Sequence, residues 1–292
     1  MAERPKEIRK RIKSVSSTKK ITKTMELVAT SKMKRAQERV QAAGPYTAKL
    51  DEIISAIAGG GTSMNLPLLE KREKVSRVLV LLLTANRGLC GGFNANLIRL
   101  CKNTVAEQKA QGREVRLEVV GKKGNATLKF QGYQIARSIS DVTDKPSFED
   151  ARRIVDPIVK LFVNREIDEV LVVYPHWKSM GSQPPTVKKL LPIDPPAGTA
   201  GKGGVVSDFI FSPSASDILE DLLPRYVMQT MYTMLAMSTA GEQVARRTAM
   251  KNATDNASEM ITYLTRTLNR ARQAMITQEI AEIVGGAAAL QK

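Results

Sequence analysis

Histidine occurs once in this chain, at His176, and cysteine twice, at Cys90 and Cys101. That scarcity removes most catalytic chemistry. A His/Cys metal centre, an imidazole-activated nucleophile and a disulfide framework each need these residues in larger number or at fixed spacing. His176 lies in Tyr174-Pro175-His176-Trp177 with no Cys or carboxylate at ligand spacing, so it reads as a packing or surface residue. Cys90 has no nearby imidazole to activate it, and both thiols are expected to stay reduced. No catalytic residue, cofactor or metal is expected. Aromatic residues make up 4% of the chain, too few for a base-stacking platform. No run of 18 apolar residues exists, so nothing is expected to span or insert directly into a membrane. The opening Met-Ala-Glu-Arg-Pro-Lys has no apolar stretch of the kind a secretory signal needs, and a bacterial cytoplasmic origin is simpler than organellar import.

Glycine and proline are missing where their absence tells most. None occurs between Lys6 and Ala43, and none between Glu242 and Val284, with Gly241 the only interruption back to Arg225. Each would cost about 1 to 3 kcal/mol in a helix interior, so both ends of the chain read as long helices. Sixty residues of helix measure about 90 Å, several times the width of a small core. The first helix is expected to be closed by Gly44-Pro45, or to resume through Leu50, Ile53, Ile54 and Ile57. Its apolar stripe reads Ile8, Ile12, Val15, Ile21, Met25 and Val28; that of the second reads Ala253, Ala257, Met260, Leu264, Leu268, Ala271 and Met275, with a mean spacing nearer a straight helix than a heptad. One stripe on each suggests an antiparallel coiled coil.

Acidic residues are the next shortage, 29 against 45 Lys and Arg, for a net charge of +16. The excess is concentrated at the start, where residues 1–40 carry 13 basic and four acidic side chains. Arg9, Lys10, Arg11 and Lys13, then Lys19, Lys20 and Lys23, then Lys32, Lys34 and Arg35 cover the polar side of the first helix and call for an acidic partner surface. A basic coiled-coil nucleic-acid-binding or adaptor protein is the alternative, but RNP-type aromatics and zinc-ligand spacings are both lacking.

The middle of the chain alternates in a different way. Strands are predicted at Val75–Thr84, Val115–Gly121, Gln134–Ile139 and Glu169–Tyr174, with an edge strand at Pro185–Ile193. Helices are predicted at Asn94–Ala110, Asn125–Gln131 and Phe148–Arg165, the last bent by Pro157. This is a Rossmann-like α/β domain with an open, mainly parallel sheet. The expected organisation is a coiled-coil helix over residues 1–58, the α/β domain over 75–194, a Gly-rich loop over 195–207 and a second coiled-coil helix over 214–290. Thr84 to Asn94 (TANRGLCGGFN) puts Gly88, Gly91 and Gly92 between a strand and a helix, where phosphate loops occur. It has neither a P-loop ending nor GxGxxG spacing, so a structural turn around Cys90 is the favoured reading over a phosphate site.

Three stretches, in order, resemble one family. Ile8-Arg9-Lys10-Arg11-Ile12-Lys13-Ser14-Val15, with Thr18-Lys19-Lys20-Ile21-Thr22-Lys23-Thr24-Met25 and Ser31-Lys32-Met33, resembles the start of the gamma subunit of F-type ATP synthase. Arg87-Gly88-Leu89-Cys90-Gly91-Gly92-Phe93-Asn94 is similar to that family's domain motif. Ala249-Met250-Lys251-Asn252-Ala253-Thr254-Asp255-Asn256-Ala257 and Ile276-Thr277-Gln278-Glu279-Ile280-Ala281-Glu282-Ile283-Val284-Gly285-Gly286-Ala287-Ala288 are similar to its C-terminal signature. The resemblance implies a non-catalytic rotor shaft inside a ring of alternating alpha and beta subunits, with the epsilon subunit and the membrane-embedded c-ring as further partners. It implies a peripheral place on the cytoplasmic face of the bacterial inner membrane and no nucleic acid. It also implies that Met25, with Lys20 and Lys23, faces the lower lip of the ring, and that Arg272, Gln273, Thr277 and Glu279 meet beta-subunit loops higher up. The Gly-rich loop is short and cysteine-free, so the thiol control found in chloroplast members is not expected.

Overall fold

Six consecutive buried residues, Val78 to Leu83, make β1 (Arg77–Leu83) the centre of the sheet. A strand covered on both faces can be apolar at every position. Leu79, Leu81 and Leu83 point into one core and Val78, Val80 and Leu82 into the other. The computed structural model of the chain describes residues 5–59, 66–194 and 215–290. After β1 come α2 (Phe93–Ala110), β2 (Glu114–Val120), α3 (Lys122–Phe130), β3 (Arg137–Ile139), α4 (Phe148–Val163), β4 (Glu169–Pro175) and β5 (Pro185–Leu191), flanked by α1 (Pro5–Gly59) and α5 (Ala215–Leu290). The sheet order is β3-β2-β1-β4-β5, parallel throughout except for β5, which pairs antiparallel with β4. This is the mainly parallel open sheet expected. The Gly-rich loop predicted at 195–207 lies outside the described residues.

The chain divides into two compact units, residues 1–30 with 246–292, and residues 31–245. In the second unit, α2 and α3 cover one sheet face, while α4 and parts of α1 and α5 cover the other. Helix α4 starts in a capping box: the Ser147 hydroxyl accepts from Asp150 N–H, and the Asp150 carboxylate accepts from Ser147 N–H at 2.9 Å. The buried Glu118 of β2 is met by Arg137 Nε at 2.8 Å, and Arg137 also donates to the Ile154 carbonyl at 2.7 Å. At the opposite end of the strands Asp168 holds the chain entering β1. Burial alone would raise its pKa, but N–H groups of Ser76 and Arg77 and the Arg77 guanidinium together hold it below the usual carboxylate value.

Two expectations about the terminal helices need correction. Of the two alternatives for α1, closure at Gly44-Pro45 fails and resumption holds: the helix continues to Gly59, close to the expected end at 58. Gly44 and Pro45 are exposed, so the proline ring and its missing N–H cost one solvent-side turn, while Ala43, Thr47, Leu50 and Ile54 on the opposite side stay packed. The apolar stripes are also misplaced. Exposure along α1 is lowest at Ile8, Ile12, Val15, Lys19, Thr22, Glu26, Ala29, Met33, Ala36, Val40, Ala43, Thr47, Leu50 and Ile54, spacings of four and three in strict alternation. The matching line on α5 is Ala236, Ala240, Gln243, Arg247, Met250, Thr254, Ala257, Ile261, Leu264, Leu268 and Ala271. Ile21, Val28 and Met260, assigned to the stripes from sequence, are exposed. Polar residues hold several seam positions, and a count of apolar residues alone drifts onto the neighbouring face.

The pairing is antiparallel. In the larger unit Gln229 donates to the Thr47 hydroxyl at 3.2 Å, Tyr226 hydrogen-bonds Asp51, and Ala36 and Val40 pack with Ala236 and Ala240. In the smaller unit the Thr254 hydroxyl donates to that of Thr22 at 2.8 Å. Trp177, from the β4–β5 connection, packs on the Ala36–Ala240 cluster. Gly241, the one glycine within the long C-terminal pattern, sits where a Cβ would stand 3.4 Å from Pro175 and 3.5 Å from Phe93, ordinary contact distances that show how closely α5 lies against the end of β4 and the start of α2.

Among the described residues two seam positions, Gln243 and Arg247, carry buried polar atoms without a partner, and Gln243 is the more completely orphaned. Gln243 is 1% exposed, and neither its Oε1 nor its Nε2 has a hydrogen-bond partner. Each orphaned polar group costs about 1 to 3 kcal/mol, whereas leucine fills a similar volume without that penalty. Gln243→Leu is therefore expected to raise the stability of the full chain by roughly 1 to 3 kcal/mol in urea denaturation. A lowered midpoint at unchanged slope would show that the amide is satisfied in solution.

Candidate functional surfaces

The exposed side of α1 in the smaller unit carries an apolar line that has nothing to do with the seam. Ile21, Met25 and Val28 follow spacings of four and three one position away from it. Ile21 is 61% and Val28 51% exposed, Met25 is half-buried, and Leu27 beside them is also exposed. Lys20 and Lys23 flank this line; both are exposed, and Lys23 pairs with Glu26 at 3.2 Å. Large apolar residues set in a basic surface are the signature of a face that meets another protein.

The end of α5 is more extreme. Counting from the Thr22–Thr254 pair, Pro5 at the start of α1 stands level with Ala271, and every residue from 272 to 287 is exposed. Met275, Ile276, Ile280, Ile283 and Val284 are among them, Ile283 at 71%. Arg272, Gln273, Thr277 and Glu279 share this segment, and the Thr277 hydroxyl donates back to the Gln273 carbonyl at 3.0 Å. The structure thus separates the sequence-derived contact residues into two groups. Met25 with Lys20 and Lys23 forms one; the α5 end, about 30 Å further along the helix axis, forms the other.

The glycine turn is occupied by its own side chains. Leu89 and Gly91 take positive φ values of 62° and 55°. Asn94 clasps the turn: its Oδ1 accepts from Ala85 N–H at 3.0 Å and its Nδ2 donates to Cys90 Sγ at 3.2 Å. Cys90 and Cys101 are both buried and neither is in a disulfide; burial pushes the Cys101 thiol up to about 12, leaving no thiolate for redox exchange near neutral pH.

A second clasp, which the sequence reading missed, closes the strand ends beside it. Thr84 Oγ1 donates to the Val120 carbonyl at 2.9 Å and accepts from Gly124 N–H at 3.0 Å. The other amides opening α3 are also taken: Lys122 N–H by Asn86 Oδ1 at 3.0 Å and Lys123 N–H by the Ala85 carbonyl at 3.1 Å. Phosphate-binding helix starts need such amides unpaired. Gly121 has φ +102°, and a Cβ there would lie 2.2 Å from the Thr84 carbonyl oxygen. A glycine directly after a core strand was the available signal.

The ATP synthase family profile matches residues 4–290. The ATP synthase gamma chain of Gemmatimonas aurantiaca is 50% identical over 286 residues, covering 98% of each chain. That of Rubrobacter xylanophilus is 44% identical over 287 residues, again 98% of each, and that of Leptospira biflexa 42% over 286 residues, 98% of this chain and 99% of the other. Among solved structures, a chain of the Euglena gracilis mitochondrial ATP synthase (OSCP/F1/c-ring) superposes with TM-score 0.69 at 20% identity, covering 98% of this chain and 94% of that one. A chain of the Tetrahymena thermophila mitochondrial ATP synthase central stalk and c-ring gives 0.59 at 23% identity, covering 80% and 99%.

Proposed function

Since the chain belongs to the ATP synthase gamma chain family, we propose that its two exposed apolar surfaces are the places where a rotor meets its stator. The protein is the non-catalytic central-stalk subunit of the F1 ATP synthase, and the catalytic sites lie on other subunits. Its partners are the alpha and beta subunits, the epsilon subunit and the c-ring. It is a peripheral component; among the described residues no helix is long and apolar enough to cross a membrane. In a bacterial cell its place is the cytoplasmic face of the inner membrane.

The observation that carries this reading is the end of α5, whose residues 272–287 are all exposed and lie beyond the level of Pro5, the first described residue of α1. A lone helix of this length with five large apolar side chains facing water is marginal. A surrounding sleeve of protein supplies the missing contacts. Arg272, Gln273, Thr277 and Glu279 are the polar residues of that contact, and Met25, Lys20 and Lys23 belong to a second contact lower on the shaft, where acidic beta-subunit segments meet the basic helix.

The mechanism is a matter of differential contact. A shaft without threefold symmetry touches three chemically equivalent sites differently, and each site's conformational equilibrium shifts only by the difference in contact free energy between its states. Turning the shaft redistributes those differences, so nucleotide affinity changes at each site in sequence. Such a part needs stiffness, contrast between its faces and a few charge contacts. It needs no catalytic residue of its own.

Gentle detergent extraction of membranes carrying a tagged chain is the direct test. Alpha, beta and epsilon subunits should be recovered beside it in fixed proportion. Recovery of the chain alone, or on nucleic acid with a steep salt dependence, would favour the basic nucleic-acid-binding alternative.

A further inference from the structure

Beside the carboxyl ends of β1, β2 and β3 the larger unit has a cleft of about 500 Å³. Among the described residues six cations line it: Lys32, Arg35 and Arg39 from α1, Arg87 after β1, Lys122 after β2, and Lys145 from the connection to α4. Two carboxylates share the lining and both have cationic partners. Asp144 is paired with Lys32 at 2.6 Å, and Arg39 donates to the Asp144 carbonyl at 3.2 Å; Asp141 is paired with Arg153, which is not part of the lining. Arg35, Arg87, Lys122 and Lys145 form no ion pair among the described residues, and all four are exposed.

Four uncompensated cations converging on a concave surface focus a positive potential, and an anion of several charges relieves their mutual repulsion with a single ligand. The volume lies within the range of small-molecule sites. Among the described residues no aromatic ring lines the cleft, so none of them would stack on a nucleobase. The α3 amides are spent on Thr84, Ala85 and Asn86, which leaves side chains as the donors. Arginine and lysine on separate elements suit phosphoryl oxygens spread along a short chain.

We propose that this cleft is a binding site for oligophosphate anions, recognised through the phosphate chain by Arg35, Arg87, Lys122 and Lys145. The same chemistry is offered by inorganic tripolyphosphate and by the tail of a nucleoside triphosphate. Because the base has no partner, the two should bind alike.

Isothermal titration calorimetry on the full chain tests this with sodium tripolyphosphate, pyrophosphate, orthophosphate, ATP and GTP, each without added metal. Affinity should fall from tripolyphosphate to pyrophosphate to orthophosphate, with ATP and GTP within a few-fold of tripolyphosphate. Arg87→Ala with Lys122→Ala should weaken tripolyphosphate by about tenfold per lost charge contact or more, with the circular dichroism spectrum unchanged. Lys10→Ala with Lys13→Ala, cations on α1 outside the cleft, should leave binding intact. An equal loss in that control would show diffuse attraction to a basic chain and overturn the site. No heat with tripolyphosphate would also overturn it, as would tighter binding of a poly-glutamate peptide that Arg87→Ala and Lys122→Ala abolish, since the cleft would then be a docking place for an acidic protein segment. ATP binding more than tenfold tighter than tripolyphosphate would refute recognition through the phosphates alone.

Discussion

Gly121→Ala is expected to destabilise the α/β unit severely. A side chain at φ +102° is strained by about 1 to 3 kcal/mol before any contact is considered. Here the new Cβ would also stand 2.2 Å from a backbone carbonyl oxygen, which can move only if β1 moves with it. That strand is the middle of the sheet, and the Thr84 clasp ties it to the start of α3. A loss of roughly 4 kcal/mol or more is expected, a large part of the 5 to 15 kcal/mol that holds an ordinary domain together. Gly132→Ala is the control, because Gly132 has φ +80° with nothing within 4 Å of the added carbon. It should cost only about 1 to 2 kcal/mol. Urea denaturation of both variants decides the matter. Equal losses would mean that strain in φ, and not the close approach to Thr84, governs this corner.

Met25→Lys is expected to uncouple the assembled complex without unfolding the chain. Met25 lies on the line of Ile21 and Val28, beside the seam and not in it, so a lysine there can extend its ammonium into water. The stability cost should stay below about 1 kcal/mol. On a shaft turning inside a ring, a new cation adds a contact with acidic segments at some angles only, and holds the shaft there. The complex should assemble and hydrolyse ATP, yet move fewer ions per ATP in reconstituted vesicles. Met25→Leu should behave as the parent. An unchanged ratio of ion movement to hydrolysis in fully assembled Met25→Lys complex would remove Met25 from the contact surface, and failure to assemble would assign it to packing.

The strands and helices of the α/β unit were legible because each announces itself locally. Val78–Leu83 is continuously apolar, and the long terminal helices show themselves by what they lack. The seam was not legible, since Lys19, Thr22, Glu26, Gln243, Arg247 and Thr254 occupy positions that a hydrophobic pattern assigns to solvent. Thr22 and Thr254 satisfy each other, a solution visible only once the two helices are side by side. Gly44-Pro45 misled for the same reason: a local break signal was outweighed by packing on the far side of the helix. The clasp of Thr84 on Gly124 and the gathering of Arg35, Arg87, Lys122 and Lys145 join segments far apart in the chain, and no spacing rule reaches them.

The strict alternation of fours and threes along both helices also fixes a handedness. An undistorted helix advances 3.6 residues per turn, so contacts repeating every 3.5 stay in register only if the two helices wind around each other to the left. A wound pair does not answer clockwise and anticlockwise torque alike. Torque that tightens the winding presses the seam together, where the methyl groups of alanine and the Thr22–Thr254 bond resist. Torque of the opposite sense draws it open and loads the few polar ties instead. Within each unit the two senses of torque are therefore expected to load different contacts, a chirality written into the order of the residues.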